Sequence, residues 1–316
     1  MVEKAAAEHG GRGDAAPPVW IGPHGSARLT EAVARGGGVV VGDAADARAI
    51  VWNDGEPQEA RAALHDGIEW VQLDSVGIDH WLEAAIVDRE RTWTSVRDVY
   101  AADVAEHVLA FILAAARRLP QAARARRWSG IGGERLAGRT VGLVGAGAIG
   151  RETIVRLRPF GVRVIALTRS GRDVPGADES LPRERFTHLL ECSDYVVLAA
   201  PLTAETRGLV GRRELERLGS DAWLVNVGRG PLVDTDALVQ ALPDGAIGGA
   251  CLDVTDPEPL PAGHPLWKLE NVLLTPHVAN PPGTWEEPLA GLVEENVRRF
   301  AAGRELLAIV DVDRGY

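Results

Sequence analysis

The chain has 316 residues, 46% of them hydrophobic and 25% charged. That is the length of two domains and the composition of a globular protein, and it excludes a disordered, collagen-like or coiled-coil chain. With 34 basic and 45 acidic residues the net charge is −11, which excludes a nucleic-acid partner because neutralising phosphates needs a basic face; a small anionic substrate needs only a locally positive pocket.

The first 18 residues contain Lys4, Glu8 and Gly10-Gly11 and lack an apolar signal-peptide core, so they read as a flexible tail ending at Pro17-Pro18. Short β-branched runs follow at Val19-Ile21, Val39-Val41, Ile50-Trp52, Trp70-Leu73 and Thr92-Ser95, with amphipathic stretches such as Ala27-Arg35 and Gln58-Leu64 among them. That alternation is the βα pattern of a parallel sheet covered by helices. A helix is expected over Ala102–Leu119, with Asp103 and Glu106 in its first turn and Arg117 and Arg118 in its last, both favourable to the helix dipole. Pro120 should stop it. Its middle, Val108 to Ala116, is apolar nearly all round, as a helix buried between domains or subunits would be. The arginine-rich stretch Gln121-Trp128 reads as solvated.

A second series of strands is expected at Thr140-Val144, Val162-Leu167, Tyr195-Leu198, Trp223-Asn226, Ala250-Asp253 and Val272-Leu274. Six short apolar strands separated by helical lengths make a dinucleotide-binding domain. After Pro281-Pro282 a last helix is expected over Trp285–Ala302, then a terminal strand at Ala308–Val312. That strand has no place in the second series, so it is assigned back to the first domain. The fold class is therefore α/β, two Rossmann-like or flavodoxin-like domains with doubly wound parallel sheets. Residues 1–98 and 286–316 form a discontinuous substrate-binding domain, and residues 99–285 the nucleotide-binding one. Two cysteines, Cys192 and Cys251, cannot build a disulfide framework, which points to a reducing, cytoplasmic setting. No apolar run is long enough to span a bilayer, so no membrane partner is expected. Neither Cys-x-x-Cys nor His-Glu-x-x-His is present, so no metal is expected either.

The segment from Thr140 to Gly150 runs strand, tight turn, helix start: Gly145, Gly147 and Gly150 stand in the G-x-G-x-x-G spacing, with Ala148 and Ile149 opening the helix. Gly145 permits the turn, Gly147 lets backbone approach a pyrophosphate, and Gly150 lets helix pack on strand. The helix N-terminus offers unpaired N–H groups to the phosphates. The bland alternative is a structural glycine turn; the strand before and the helix after favour dinucleotide binding. An NAD enzyme ends its second strand in Asp or Glu, which accepts from the ribose 2′-OH. Here the strand ends in Thr168, Arg169 and Ser170, with no carboxylate before Asp173. Arginine suits a 2′-phosphate as a forked cation, so NADP(H) is expected over NAD(H), with NAD(H) as the second cofactor.

Three further motifs sit just beyond strand C-termini, where α/β sheets bind ligands: Asn226 to Asp234 around Arg229, Asp253 to Glu258, and Thr275-Pro276-His277. With Val76-Gly77-Ile-Asp79, Val104-Ala-Glu-His107, the glycine turn, Pro201 to Thr206, and Val310 to Tyr316, they give the stretch from about Leu73 onward a clear resemblance to the D-2-hydroxyacid dehydrogenase family. That family includes glyoxylate and hydroxypyruvate reductases and phosphoglycerate dehydrogenases.

The resemblance implies a role for each matching residue. Arg229 binds the substrate carboxylate and polarises its 2-oxo group. His277 gives or takes the proton, with an ordinary pKa of about 6.5 that serves both directions. Glu258 bonds the other ring nitrogen, fixes the tautomer and raises the imidazole pKa. Asp253 faces the nicotinamide, and Pro201 and Thr206 lie along the cofactor. The backbone of Ser75, Val76 and Gly77 holds the substrate carboxylate from the first domain, so that the site closes between domains. His107 reads as structural, and His80 and His264 as residues without a catalytic part.

The reaction this implies is hydride transfer between NADP(H) and the 2-carbon of a small 2-oxo or D-2-hydroxy acid, of the glyoxylate or hydroxypyruvate kind. Departures from the pattern fall beside the site: Val278 to Pro282 replaces a glycine found in many relatives after the histidine, and Gly228 stands where Ala or Ser is common. Glu258 argues against the formate dehydrogenase branch, which has glutamine there. The rival reading is a nucleotide-sensing binding protein, because the family contains a transcriptional co-repressor. A Rossmann methyltransferase is disfavoured by the second domain and the acid–base set. A homodimer through Ala102–Leu119 and the stretch after it is expected, as relatives use.

Overall fold

The computed structural model describes residues 15–128, 130, 132–281 and 283–316. The expected N-terminal tail lies almost wholly, and Pro282 entirely, outside the described residues. The chain divides into two compact units. One takes the described residues up to Asp74, Arg89–Thr94 and Ala290–Ile309; the other takes Ser75–Asp88, Ser95–Leu289 and Val310–Tyr316.

In the first unit, β1 (Pro18–Pro23), β2 (Val39–Val41), β3 (Ala49–Asn53), β4 (Trp70–Gln72) and β5 (Thr92–Thr94) form one parallel sheet in the order β2-β1-β3-β4-β5. This is the flavodoxin-like order of a doubly wound sheet. The central strands β3 and β4 are buried throughout, as strands covered on both faces should be. At the edge, Val39 in β2 is 53% exposed. The helix Glu286–Ala301 supplies a polar tie to this sheet. Asn296 is fully buried; its amide nitrogen donates to Gln72 Oε1 (3.1 Å) and to the Leu307 carbonyl (3.2 Å), and its oxygen accepts from Leu307 N (2.7 Å). Gln72 Oε1 also accepts from Thr94 Oγ1, which in turn accepts from Trp70 Nε1.

The second unit carries seven parallel strands: β6 (Thr140–Val144), β7 (Arg163–Thr168), β8 (Glu179–Pro182), β9 (Tyr195–Leu198), β10 (Trp223–Asn226), β11 (Gly249–Leu252) and β12 (Val272–Leu274). Their order is β12-β11-β10-β9-β6-β7-β8, a six-stranded Rossmann arrangement with one strand added beyond the sixth. Alternate residues face two cores. Val144, Ile165, Val196, Leu198 and Leu224 point to one, and Val141, Leu143, Val164, Val197 and Val225 to the other. Val108, Phe111 and Ile112, from the helix Ala101–Ala116, pack into the second core. Cys251 lies there too, and burial pushes its thiol pKa far up, so it serves packing.

Three expectations need correction. Pro120 does not simply stop a helix. Arg118 takes the left-handed conformation (φ 52°) after Ala116, and Pro120 sits in the first turn of a new helix, Leu119–Arg124, where its missing N–H costs nothing. Arg124 then caps carbonyls at Leu269, Glu270 and Val272. The segment Ala308–Val312 is not a strand; only Ile309 pairs, in a single antiparallel bridge to Thr94. The second sheet also has a strand that the expected six did not include, β8, which pairs with β7 at the edge.

Candidate active site

In the second sheet, β6 and β9 are neighbours although two strands separate them in the chain. The order reverses there, and a crevice opens at the strand C-termini. The glycine turn leads off β6. Gly145 has φ +99°, and a Cβ there would lie 2.6 Å from the carbonyl oxygen of Ala199, the residue just after β9. A Cβ on Gly150 would lie 2.4 Å from the Gly145 oxygen. Gly147, which caps the helix Ala148–Leu157, would meet nothing within 4 Å. Two glycines are thus required by the turn's own packing, and the third leaves open space over a helix N-terminus. At the end of β7, Thr168 Oγ1 is buried with no hydrogen-bond partner. Arg169 and Ser170 beside it are exposed. Pro201 and Thr206 belong to a turn closed on itself: Thr206 Oγ1 donates to the Pro201 carbonyl (2.7 Å) and accepts from Thr203 N (2.8 Å).

The loop after β10 presents Arg229. Asn226, buried at the strand end, shapes it by donating to the Arg229 carbonyl (2.9 Å) and accepting from Gly228 N (3.1 Å). The guanidinium donates through Nε to Asp79 Oδ1 (2.9 Å) and through Nη1 to the Gly228 carbonyl (2.9 Å). Three of the five guanidinium N–H groups are left over. Two of them, on Nη2, adjoin the turn that follows Ser75 and Val76: a Cβ on Gly77 would sit 1.6 Å from Arg229 Nη2. Ser75 Oγ is buried there without a partner, and Val76 is exposed. Asp79, in the Val76–Asp79 motif, is thus the group that orients Arg229. Its motif was visible in the sequence, but not its partner, 150 residues away.

The loops after β11 and β12 bring Glu258 and His277 together. His277 Nδ1 and Glu258 Oε1 are 2.6 Å apart. The carboxylate raises the imidazole pKa above its ordinary value, first through that hydrogen bond, against the lowering effects of burial and of Arg229. The same bond lowers the Glu258 pKa, helped by the charges of His277 and Arg229 and by the Thr255 backbone N–H. Both side chains are about half exposed (51% and 42%), so solvent screens the pair and its worth lies in orientation rather than in stability.

His277 itself has φ +54°, the left-handed region, and Asp253 holds the turn in that shape. The Asp253 carbonyl accepts from His277 N (2.8 Å). The carboxylate accepts from Thr275 Oγ1 (2.5 Å), Val278 N (2.9 Å) and Ala279 N (3.0 Å). Asp253 is 3% exposed, so in this geometry its carboxylate serves the turn that carries His277. Beside the pair opens a cavity of about 380 Å³, lined by His277, Glu258, Asp253, Thr255 and Thr275 and by the apolar side chains of Leu260, Trp267 and Leu274. Among the described residues no cluster of metal-ligating side chains is present, and no helix is long and apolar enough to cross a membrane.

A dinucleotide turn at a sheet switch point, an oriented arginine and a carboxylate–imidazole pair define a nicotinamide-dependent oxidoreductase of α/β fold. The family model described as D-isomer specific 2-hydroxyacid dehydrogenase, NAD binding domain, matches residues 109–279. A glyoxylate reductase of Thermofilum pendens is 38% identical over 75% of this chain and 73% of its own length. Among solved structures, a D-isomer specific 2-hydroxyacid dehydrogenase of Xanthobacter autotrophicus Py2, bound to NADPH, is 30% identical with a TM-score of 0.85. The match covers 96% of this chain and all of that one. An NADPH-dependent glyoxylate/hydroxypyruvate reductase of Sinorhizobium meliloti, solved with NADP, is 26% identical with a TM-score of 0.81, over 95% of this chain and all of its own. The chain belongs to the D-isomer-specific 2-hydroxyacid dehydrogenase family and is an NAD(P)-dependent oxidoreductase.

Proposed function

We propose that this protein is an NADPH-dependent reductase of small 2-oxo acids, of the glyoxylate or hydroxypyruvate class. The observation that carries the reading is the juxtaposition at one sheet end of the His277–Glu258 pair with an arginine whose uncommitted Nη2 adjoins Gly77. The reading is supported by the Sinorhizobium and Xanthobacter structures, which contain NADP and NADPH.

The nucleotide fits the residues present: Gly147 leaves open space at a helix N-terminus, and the buried Thr168 hydroxyl lacks a partner. Gly145 to Gly150 would hold the pyrophosphate. Thr168, Arg169 and Ser170 would hold the ribose and its 2′-phosphate, and Pro201, Thr206 and Asp253 would line the rest. When bound, the nicotinamide supplies the hydride for the 2-carbon.

The chain's own groups do the remainder. Arg229 pairs with the substrate carboxylate and stabilises negative charge growing on the 2-oxo oxygen. Asp79, by taking Nε, turns the other guanidinium edge to the substrate, which the backbone of Ser75, Val76 and Gly77 also contacts. Glu258 holds the imidazole through Nδ1, so the proton leaves from Nε2 to the oxygen. Residues 99–285 are read as the cofactor domain, and 1–98 with 286–316 as the substrate domain. A homodimer is supported by Leu119, 52% exposed, and by the fully exposed Trp128. A reducing, cytoplasmic location is supported by two free cysteines.

The test is a panel of 2-oxo acids against NADPH and NADH, followed by cofactor absorbance. NADPH should give the higher kcat/KM with glyoxylate or hydroxypyruvate, and His277→Ala should lower kcat by about 10²–10⁴-fold. Undiminished turnover in that variant would remove the mechanism, and no turnover of any 2-oxo acid by the parent would leave the nucleotide-sensing reading in its place.

A further inference from the structure

His107 lies outside the acid–base set, on the helix Ala101–Ala116, yet its ring reaches the turn that carries His277. Its Nε2 is 3.1 Å from Thr275 Oγ1 and 3.7 Å from Asp253 Oδ1. The ring stands edge-on to Phe111, with centroids 4.3 Å apart, and its side chain is 20% exposed. Donor and acceptor roles in this chain are forced. The Asp253 carboxylate already accepts from two backbone N–H groups, and Thr275 spends its one hydroxyl proton on Asp253 Oδ1. Thr275 Oγ1 can then only accept from His107, which must carry its proton on Nε2. Burial lowers the His107 pKa, against the raising charge of Asp253, and favours this neutral ring.

We propose that His107 is a positioning residue for His277, acting through Thr275 and Asp253. The chain of donors runs from His107 Nε2–H to Thr275 Oγ1–H to the Asp253 carboxylate. That carboxylate grips Val278 N and Ala279 N, while the Asp253 carbonyl grips His277 N. His277 sits at φ +54°, a conformation a β-carbon-bearing residue keeps only when its surroundings hold it there. Val278 N, Ala279 N and Thr275 Oγ1 converge on one carboxylate, so its placement fixes both flanks of the histidine. His107 supplies the far anchor from a separate element. With it gone, Thr275 Oγ1 loses its donor, the carboxylate gains freedom, and the His277–Glu258 bond is held for a smaller fraction of the time. The inference rests on His277 as the proton donor for its kinetic consequence, and on the geometry alone for the rest.

The variants are His107→Phe, which keeps the ring contact and removes the donor; His107→Gln, whose amide can donate to Thr275; and Thr275→Val, which cuts the same chain further along. His107→Phe and Thr275→Val should each lower kcat about tenfold, more than they change KM, because a small misplacement of the proton donor acts on the chemical step. The double variant should lose little more than either single one, since both break one chain. His107→Gln should recover most of the turnover. In parallel, an NMR titration of the His277 ring in histidine-labelled protein should show its pKa falling in His107→Phe and Thr275→Val, as contact with Glu258 weakens. Losses that multiply in the double variant, or an unchanged His277 titration with kcat within about twofold of the parent, would overturn the proposal. A parent that reduces no 2-oxo acid would strike the functional reading instead, and the NMR titration would still decide this one.

Discussion

At the scale of single residues the site works by taking up hydrogen-bonding capacity until one useful direction remains. Glu258 occupies His277 Nδ1, and Asp79 occupies Arg229 Nε. For the first pair the pH consequence has a definite sign. The His277 pKa is raised and the Glu258 pKa lowered, so the ion pair persists from the lowered carboxylate value up to the raised imidazole value. In the reaction we propose, His277 must be protonated for reduction, so kcat/KM should fall as pH climbs through that raised value. In Glu258→Gln the charge that favours imidazolium is gone, and the alkaline limb should move to lower pH with a smaller plateau; a limb that stays in place would assign it to another group. For the second pair, Asp79→Asn keeps the size and removes the anion that turns the guanidinium. It should reduce kcat/KM for a 2-oxo acid about tenfold, and saturation kinetics with the parent's value would show that Arg229 needs no such partner.

At the scale of elements, burial explains what could be read in advance. The strands of both sheets are short apolar runs because most are covered on both faces, and such runs stand out in a sequence. β8 does not stand out: of Glu179, Ser180, Leu181 and Pro182 only Leu181 is buried, since the strand closes one edge of its sheet. Pro120 is ambiguous by nature, because the same ring that breaks one helix fits the first turn of the next. In the site, Arg229, Glu258 and His277 were legible as residue types in ordered motifs. The parts played by Asp79, Thr275 and His107 were not, because each depends on a partner brought near only by the fold.

The helix Glu286–Ala301 offers a test of such a hidden dependence. Asn296 is polar at a position fully enclosed by packing, and its amide satisfies Gln72, the Leu307 carbonyl and Leu307 N at once. Asn296→Ala would take the side-chain partner from the Leu307 carbonyl and N–H and one of the two donors from Gln72 Oε1, at a cost of about 2 kcal/mol. The denaturation midpoint should drop accordingly, and a shift no larger than that of a surface alanine would mean that water replaces the amide.

At the scale of the whole molecule, the charge and the surface combine. A net charge of −11 keeps copies apart at long range, so any self-association must come from a local patch that gains more than the repulsion costs. The fully exposed indole of Trp128 and the half-exposed Leu119 lie nine residues apart, just beyond the helix Ala101–Ala116. Single apolar residues at a surface are ordinary; a large aromatic without cover is the kind of group that anchors an interface. Because the repulsion is screened by salt and apolar burial is not, association through Trp128 should tighten as ionic strength rises. Light scattering should give a mass of two chains, and the dimer should dissociate at lower concentration in dilute buffer than in salt. Trp128→Glu removes the anchor and adds like charge, and should give a mass of one chain with the circular dichroism of the parent. A dimer that survives this substitution would place the interface elsewhere, and a parent of one-chain mass in salt would make the enzyme a monomer.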